Sequence, residues 1–93
     1  MNAATSISEA IEARLRAHLR VTELTLRDDS AAHHGHAGAA AGGGHFELLI
    51  VSPDFEGKTR VGRHRLVYDA LSDWMPARIH ALSIDARTPS EFV

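Results

Sequence analysis

Residues 30–45 constrain this chain more than any other stretch. They comprise six Ala, five Gly, four His and one Ser, and no side chain among them can nucleate a core. Such a composition makes a flexible connection, and a structureless loop of this length inside a small domain is either functional or disordered. Whatever core exists must come from the two flanks folding together. The supply is small: 15 of the 41 residues counted as hydrophobic are alanine, leaving 26 larger apolar side chains in a chain of 93 residues. That suits one small domain over residues 1–93 and argues against a deep, many-sided enzyme cleft.

The flanks carry readable periods. Ser6 and Glu9 have capping-box spacing, and Ile7, Ile11, Leu15 and Leu19 recur every fourth residue. A helix is therefore predicted over residues 7–19, with Glu9, Glu12, Arg14, Arg16 and Arg20 on its wet side. Residues 21–27 alternate Thr22, Leu24 and Leu26 with Glu23, Thr25 and Arg27, as a half-buried strand does. Residues 45–52, nearly unbroken through Phe46, Leu48, Leu49, Ile50 and Val51, suit a central strand, which Pro53 and Asp54 end. Helical period returns over residues 59–75, with Val61, Leu66, Val67, Ala70, Leu71 and Trp74 on one side. Gly62 is a candidate break and Pro76 a stop. Residues 78–84 resume strand character through Ile79, Leu82 and Ile84, and Thr88, Pro89 and Glu91 can cap at most one further helical turn. The order is α-β-β-α(α)-β-α, an α+β domain. Its first two strands pair as an antiparallel hairpin, its last returns parallel to the second, and helices pack on the small mixed sheet.

Formal net charge is −2 with histidine neutral, so no whole-protein attraction to nucleic acid or anionic membrane is implied. No run approaches the roughly 18 to 20 apolar residues of a membrane span, and residues 1–10 lack signal-peptide character; a soluble, cytoplasmic protein is expected. There are seven histidines and no cysteine. The missing thiols exclude disulfides, thiolate nucleophiles and any self-sufficient cysteine-ligated iron–sulfur or zinc site. Asp69, Asp73 and His64 have no accompanying nucleophile, phosphate loop or cofactor fingerprint, so a non-enzymatic role is expected.

Phe46, Ile50-Val51-Ser52, Phe55-Glu56-Gly57, Arg63-His64-Arg65-Leu66-Val67-Tyr68, Ile79-His80-Ala81-Leu82-Ser83-Ile84 and Thr88-Pro89-Ser90-Glu91, in this order and spacing, resemble the BolA family. The resemblance centres on residues 45–92 and implies a type II KH-like fold, in agreement with the order above. It also implies a heterodimer with a monothiol glutaredoxin that shares a [2Fe–2S] cluster, in iron–sulfur trafficking or iron homeostasis. The partner's cysteine and a bound glutathione supply the thiolates. The family's C-terminal histidine ligand falls on His80. Its loop ligand falls on His36, in Gly35-His36-Ala37-Gly38, with His33 and His34 as alternatives. Imidazoles can replace two cysteines on one iron of such a cluster. A chain without cysteine therefore needs a partner to complete the site.

His18, His45 and His64 read as structural: a helix-end residue complementing the dipole, a hairpin-edge residue, and a packed or hydrogen-bonded helix residue. Lys58, Arg60, Arg63 and Arg65 place four of the ten basic residues in eight positions. They form a solvated helix face, a surface for an acidic patch or the glutathione-bearing glutaredoxin, or a contact to DNA phosphates. KH domains grip nucleic acid with a Gly-x-x-Gly loop, but here Gly57 and Gly62 are five apart, Gly35 and Gly38 flank His36 in the wrong hairpin, and only five aromatic residues are present. Some BolA-like proteins are linked to transcriptional regulation, so a DNA-binding regulator is the alternative function. A third reading is chelation of Ni²⁺, Cu²⁺ or Zn²⁺ by His33, His34 and His36 alone. The free chain is expected to be a monomer or weak homodimer, without membrane association.

Overall fold

A computed structural model of the chain describes residues 7–29, 44–75 and 78–92. Ser6, Pro76 and the loop histidines His33, His34 and His36 lie outside the described residues.

Helix α1 (Ile7–His18) forms on the predicted stripe, burying Ile11 and Leu15 completely. Glu9 in its first turn and Arg16 and His18 in its last complement the helix dipole. Strand β1 (Glu23–Asp28) turns Leu24 and Leu26 inward and leaves Glu23, Thr25 and Arg27 exposed. Strand β2 (Gly44–Val51) buries Phe46, Leu48 and Ile50. It is the central strand, antiparallel to β1 and parallel to β3 (Ile79–Arg87), so that Leu48 faces Leu26 on one side and Ile84 on the other. This is the topology expected from the element order.

Helix α2 (Arg60–Leu71) runs unbroken through Gly62, so the split considered there does not occur. Gly62 lies in the first turn, and its N–H donates to the Thr59 hydroxyl at 3.1 Å. The cap thus takes up one of the amides that a helix start leaves without an intrahelical partner. The helix tightens into a 3₁₀ turn at Ser72–Trp74. Boundaries also differ from expectation: β1 starts at Glu23, two residues later than expected, and β2 is shifted one residue earlier. Pro53–Phe55 form a 3₁₀ turn, because the Ser52 hydroxyl accepts from the Asp54 N–H and proline occupies the start of the turn. Strand β3 extends to Arg87, three residues past Ile84, because its pairing with β2 continues as far as Val51. Thr88 and Glu91 form the anticipated capping box around the single turn Pro89–Glu91.

One core joins these elements. Ile11 and Leu15 from α1 and Val67, Ala70 and Leu71 from α2 meet Phe46, Leu48 and Ile50 of β2, with Ile79 and Phe55 closing the ends. Both helices therefore cover the same sheet face. Arg14 crosses from α1 to pair with Asp73 at 2.6 Å, and its guanidinium lies 3.9 Å from the Trp74 ring centre, tying α1 to the end of α2. Arg20, two residues past the end of α1, ties the chain there to the Pro53–Phe55 turn by pairing with Asp54 at 2.7 Å. Asp54 also accepts the Arg20 backbone N–H, and these bonds hold its carboxyl below the usual carboxylate range.

Phe55 is fully buried, so Phe55→Ala leaves a cavity and should cost about 3 to 5 kcal/mol in urea denaturation. A loss below about 1 kcal/mol would mean the 3₁₀ turn does not contribute to the core.

Candidate functional site

Strands β2 and β3 are parallel, so their first residues lie at one end of the sheet. Gly44 pairs with Ile79, but His45 pairs with Ala81, so His80 is the extra residue of a β-bulge. The cause is legible in the packing. Ile79 is fully buried, and Leu82, Ile84 and Ala86 also pack against the core. The step from Ile79 to Leu82 is three residues, one more than strict alternation permits, and a one-residue bulge absorbs the difference.

That extra residue turns outward. His80 is exposed, and its ring centre lies 5.2 Å from that of half-buried His45, with the ring planes inclined at 42°. The His45 carbonyl accepts the Asp29 N–H at 2.7 Å, and the Gly44 N–H donates to the Arg78 carbonyl at 3.1 Å. Asp29 and Gly44 flank the segment that carries His33, His34 and His36, so that segment joins the sheet at the His80 end. Sequence reasoning assigned His45 to a hairpin edge and missed its contact with His80. The irregular spacing of Ile79, Leu82 and Ile84 was the available signal. Among the described residues, no group of three or more His, Asp or Glu is arranged to hold a metal ion. The pair can supply imidazole donors, and further ligands must come from elsewhere.

The basic residues lie toward the other end of β3, seven residues and roughly 20 Å from His80. Lys58, Arg60, Arg63 and His64 line a cleft with Asp85, Arg87 and Glu91. Arg63 is committed within it. Its guanidinium donates to the Lys58 and Ala86 carbonyls, each at 3.1 Å, and pairs with Glu91 at 2.7 Å, leaving the side chain 16% exposed. Arg87 pairs with Asp85 at 2.9 Å. Lys58 and Arg60 are exposed, and Arg65 lies beside Val61, His64 and Tyr68 on the outer side of α2. The four basic residues grouped in sequence therefore divide into one structural arginine and three exposed cations.

A three-stranded mixed sheet with both helices on one face and a histidine-bearing bulge at one end defines a small α+β domain. The model of the family described as BolA-like protein matches residues 15–91, and the chain belongs to the BolA family. It is similar to the BolA domain of SufE1 from Arabidopsis thaliana, with a TM-score of 0.80 and 45% identity over 94% of this chain and 96% of that one. It is 41% identical to BolA-like protein 1 of Mus musculus, over 97% of this chain and 64% of the mouse protein. It is 32% identical to the DNA-binding transcriptional regulator BolA of Haemophilus influenzae, over 94% of this chain and 82% of that protein. The chain spans less than two thirds of the mouse relative and 23% of full-length SufE-like protein 1, chloroplastic/mitochondrial, from Arabidopsis thaliana.

The Arg63–Glu91 pair gives the cleft end a measurable pH response. The Arg63 guanidinium, followed by the Thr88 N–H, pulls the Glu91 carboxyl down to about 2. A carboxyl lowered on folding stabilises the native state above its ordinary pKa and loses that contribution as pH falls through the folded value. Glu91→Gln should therefore destabilise the protein at about pH 7, and its deficit relative to wild type should shrink as pH falls from about 4.5 toward 2. Urea titrations across that range check this; a deficit independent of pH would contradict it.

Proposed function

We propose that this chain is a non-enzymatic adaptor that pairs with a monothiol glutaredoxin and shares a histidine-ligated [2Fe–2S] cluster with it, in iron–sulfur trafficking or iron homeostasis. The observation that carries this reading is His80. By resemblance it falls on the family's C-terminal ligand position, and in the structure it is the extra residue of a bulge at the end of the sheet where Asp29 and Gly44 flank the histidine-rich segment. The donor chemistry fits: with no cysteine in the chain, His80 and a loop histidine, His36 first with His33 and His34 as alternatives, supply two imidazoles. The glutaredoxin cysteine and glutathione supply two thiolates. The cluster is cargo held jointly and cannot be retained by this chain alone.

A second reading, contact with DNA, is favoured by one observation. Lys58 and Arg60 are exposed beside the start of α2 and form no ion pair among the described residues. The similar protein from Haemophilus influenzae is named as a DNA-binding regulator. The bonds of Arg63 leave Lys58, Arg60 and Arg65 as the available phosphate contacts. On this reading binding weakens steeply with salt, and replacing both Lys58 and Arg60 by Gln lowers the slope of log K against log [salt] by about 2.

Reconstitution with a monothiol glutaredoxin, glutathione, iron and sulfide tests the leading proposal. His80→Ala should abolish the visible circular dichroism of the mixed complex, and His36→Ala should alter it. An unchanged spectrum for His80→Ala would overturn the assignment. Because ligation needs deprotonated imidazole, whose ordinary pKa is about 6.5, the wild-type signal should decay below about pH 6. A flat response from about pH 7.5 to 5.5 would count against histidine ligation.

A further inference from the structure

Two features at the start of β2 and β3 lead beyond cluster sharing: the bulge that carries His80, and the approach of His45 to it. We propose that His45 and His80 form a two-imidazole site that binds a single Zn²⁺ ion on the free chain, without a partner and without the loop histidines.

The separation fits one tetrahedral ion. With metal–nitrogen bonds of about 2.0 to 2.1 Å, two imidazoles on such an ion have ring centres roughly 5 Å apart. The observed separation is 5.2 Å, with the rings inclined at 42° and not stacked flat. Aromatic packing alone also gives centroid distances of this order, but packing gains from burial, and His80 is exposed. The bulge adds a second line of argument. It projects one residue out of the regular ladder, and bulges re-aim side chains beside functional sites. Here the re-aimed residue is an imidazole, placed against the only other imidazole described on the sheet.

The scaffold favours affinity. Both donors stand on hydrogen-bonded neighbouring strands, so binding does not bear the entropy of ordering a backbone segment. Asp29 and Glu47 line the same depression as His45. Their carboxylates favour a cation nearby, although Arg27 lies 3.7 Å from Asp29 and 3.0 Å from Glu47. Two imidazoles leave two positions of a tetrahedral ion to water, which makes this an open site. It shares His80 with the cluster reading but needs no glutaredoxin, so the two proposals can fail separately.

The test uses the full chain carrying His33→Asn, His34→Asn and His36→Asn, which silences the loop. Calorimetric titration with Zn²⁺ should give one ion per chain, and Co²⁺ in its place should develop the visible bands of a tetrahedral ion with nitrogen ligands. Adding His45→Asn or His80→Asn should each weaken binding at least about tenfold. His80 is exposed, so His80→Asn preserves the fold even if His45→Asn disturbs it; thermal unfolding without metal verifies both. The proposal is overturned if the loop-silenced chain binds no Zn²⁺, or if His80→Asn leaves the affinity unchanged. Zn²⁺ binding by the loop-silenced chain, with no cluster formed when the wild-type chain is mixed with glutaredoxin, would support this site and reject the cluster reading.

Discussion

The domain depends on β2. It is hydrogen-bonded on both edges, antiparallel to β1 and parallel to β3, while Phe46, Leu48 and Ile50 take the weight of both helices. A strand so placed gives the molecule two chemically different ends. Its start collects His45, the beginning of β3 with His80, and the residues that flank the histidine-rich segment. Its finish collects Ser52, the end of β3 and the Arg63–Glu91 pair. One end carries the His45–His80 imidazole pair, the other Arg63 and Arg87, each already paired to a carboxylate.

The bulge links packing to chemistry. The core requires Ile79, which is completely buried, together with Leu82 and Ile84, which pack against it. These positions cannot all face inward in a strand of period two unless one residue is set aside. His80 is that residue. Its exposure follows from the burial of Ile79 on one side and Leu82 on the other, and the ladder then brings it beside His45. A side chain whose backbone is fixed by core packing is presented without the cost of ordering that backbone.

Much of this was legible in the sequence. Alternation in β1, the unbroken apolar run of β2 and the four-residue stripe of α1 gave the element order, and the crossover between β2 and β3 followed from it. The misreadings share a cause: local propensity was overridden by hydrogen bonds or burial that single residues do not announce. Gly62 suggested a break, yet the Thr59 cap supports the helix start around it. Pro53 and Asp54 suggested only an end, yet the Ser52 hydroxyl organises a turn that delivers Phe55 to the core. His80 was found by resemblance, whereas His45 was not, because its contact exists only in the register of two parallel strands. The basic cluster read as one surface, but Arg63 turns inward to the Ala86 carbonyl and Glu91, and no sequence period reveals that choice.

The central claim is that metal chemistry belongs to the His80 end of the sheet. The most direct measurement is a set of ¹H–¹⁵N spectra of the labelled chain, free and in the reconstituted [2Fe–2S] complex with a monothiol glutaredoxin. Paramagnetic broadening should remove the amide signals of Gly44, His45, His80 and Ala81 while sparing Lys58, Arg60 and Arg87. Broadening centred on Lys58 and Arg87, or a complex spectrum with no broadening at either end, would contradict the account.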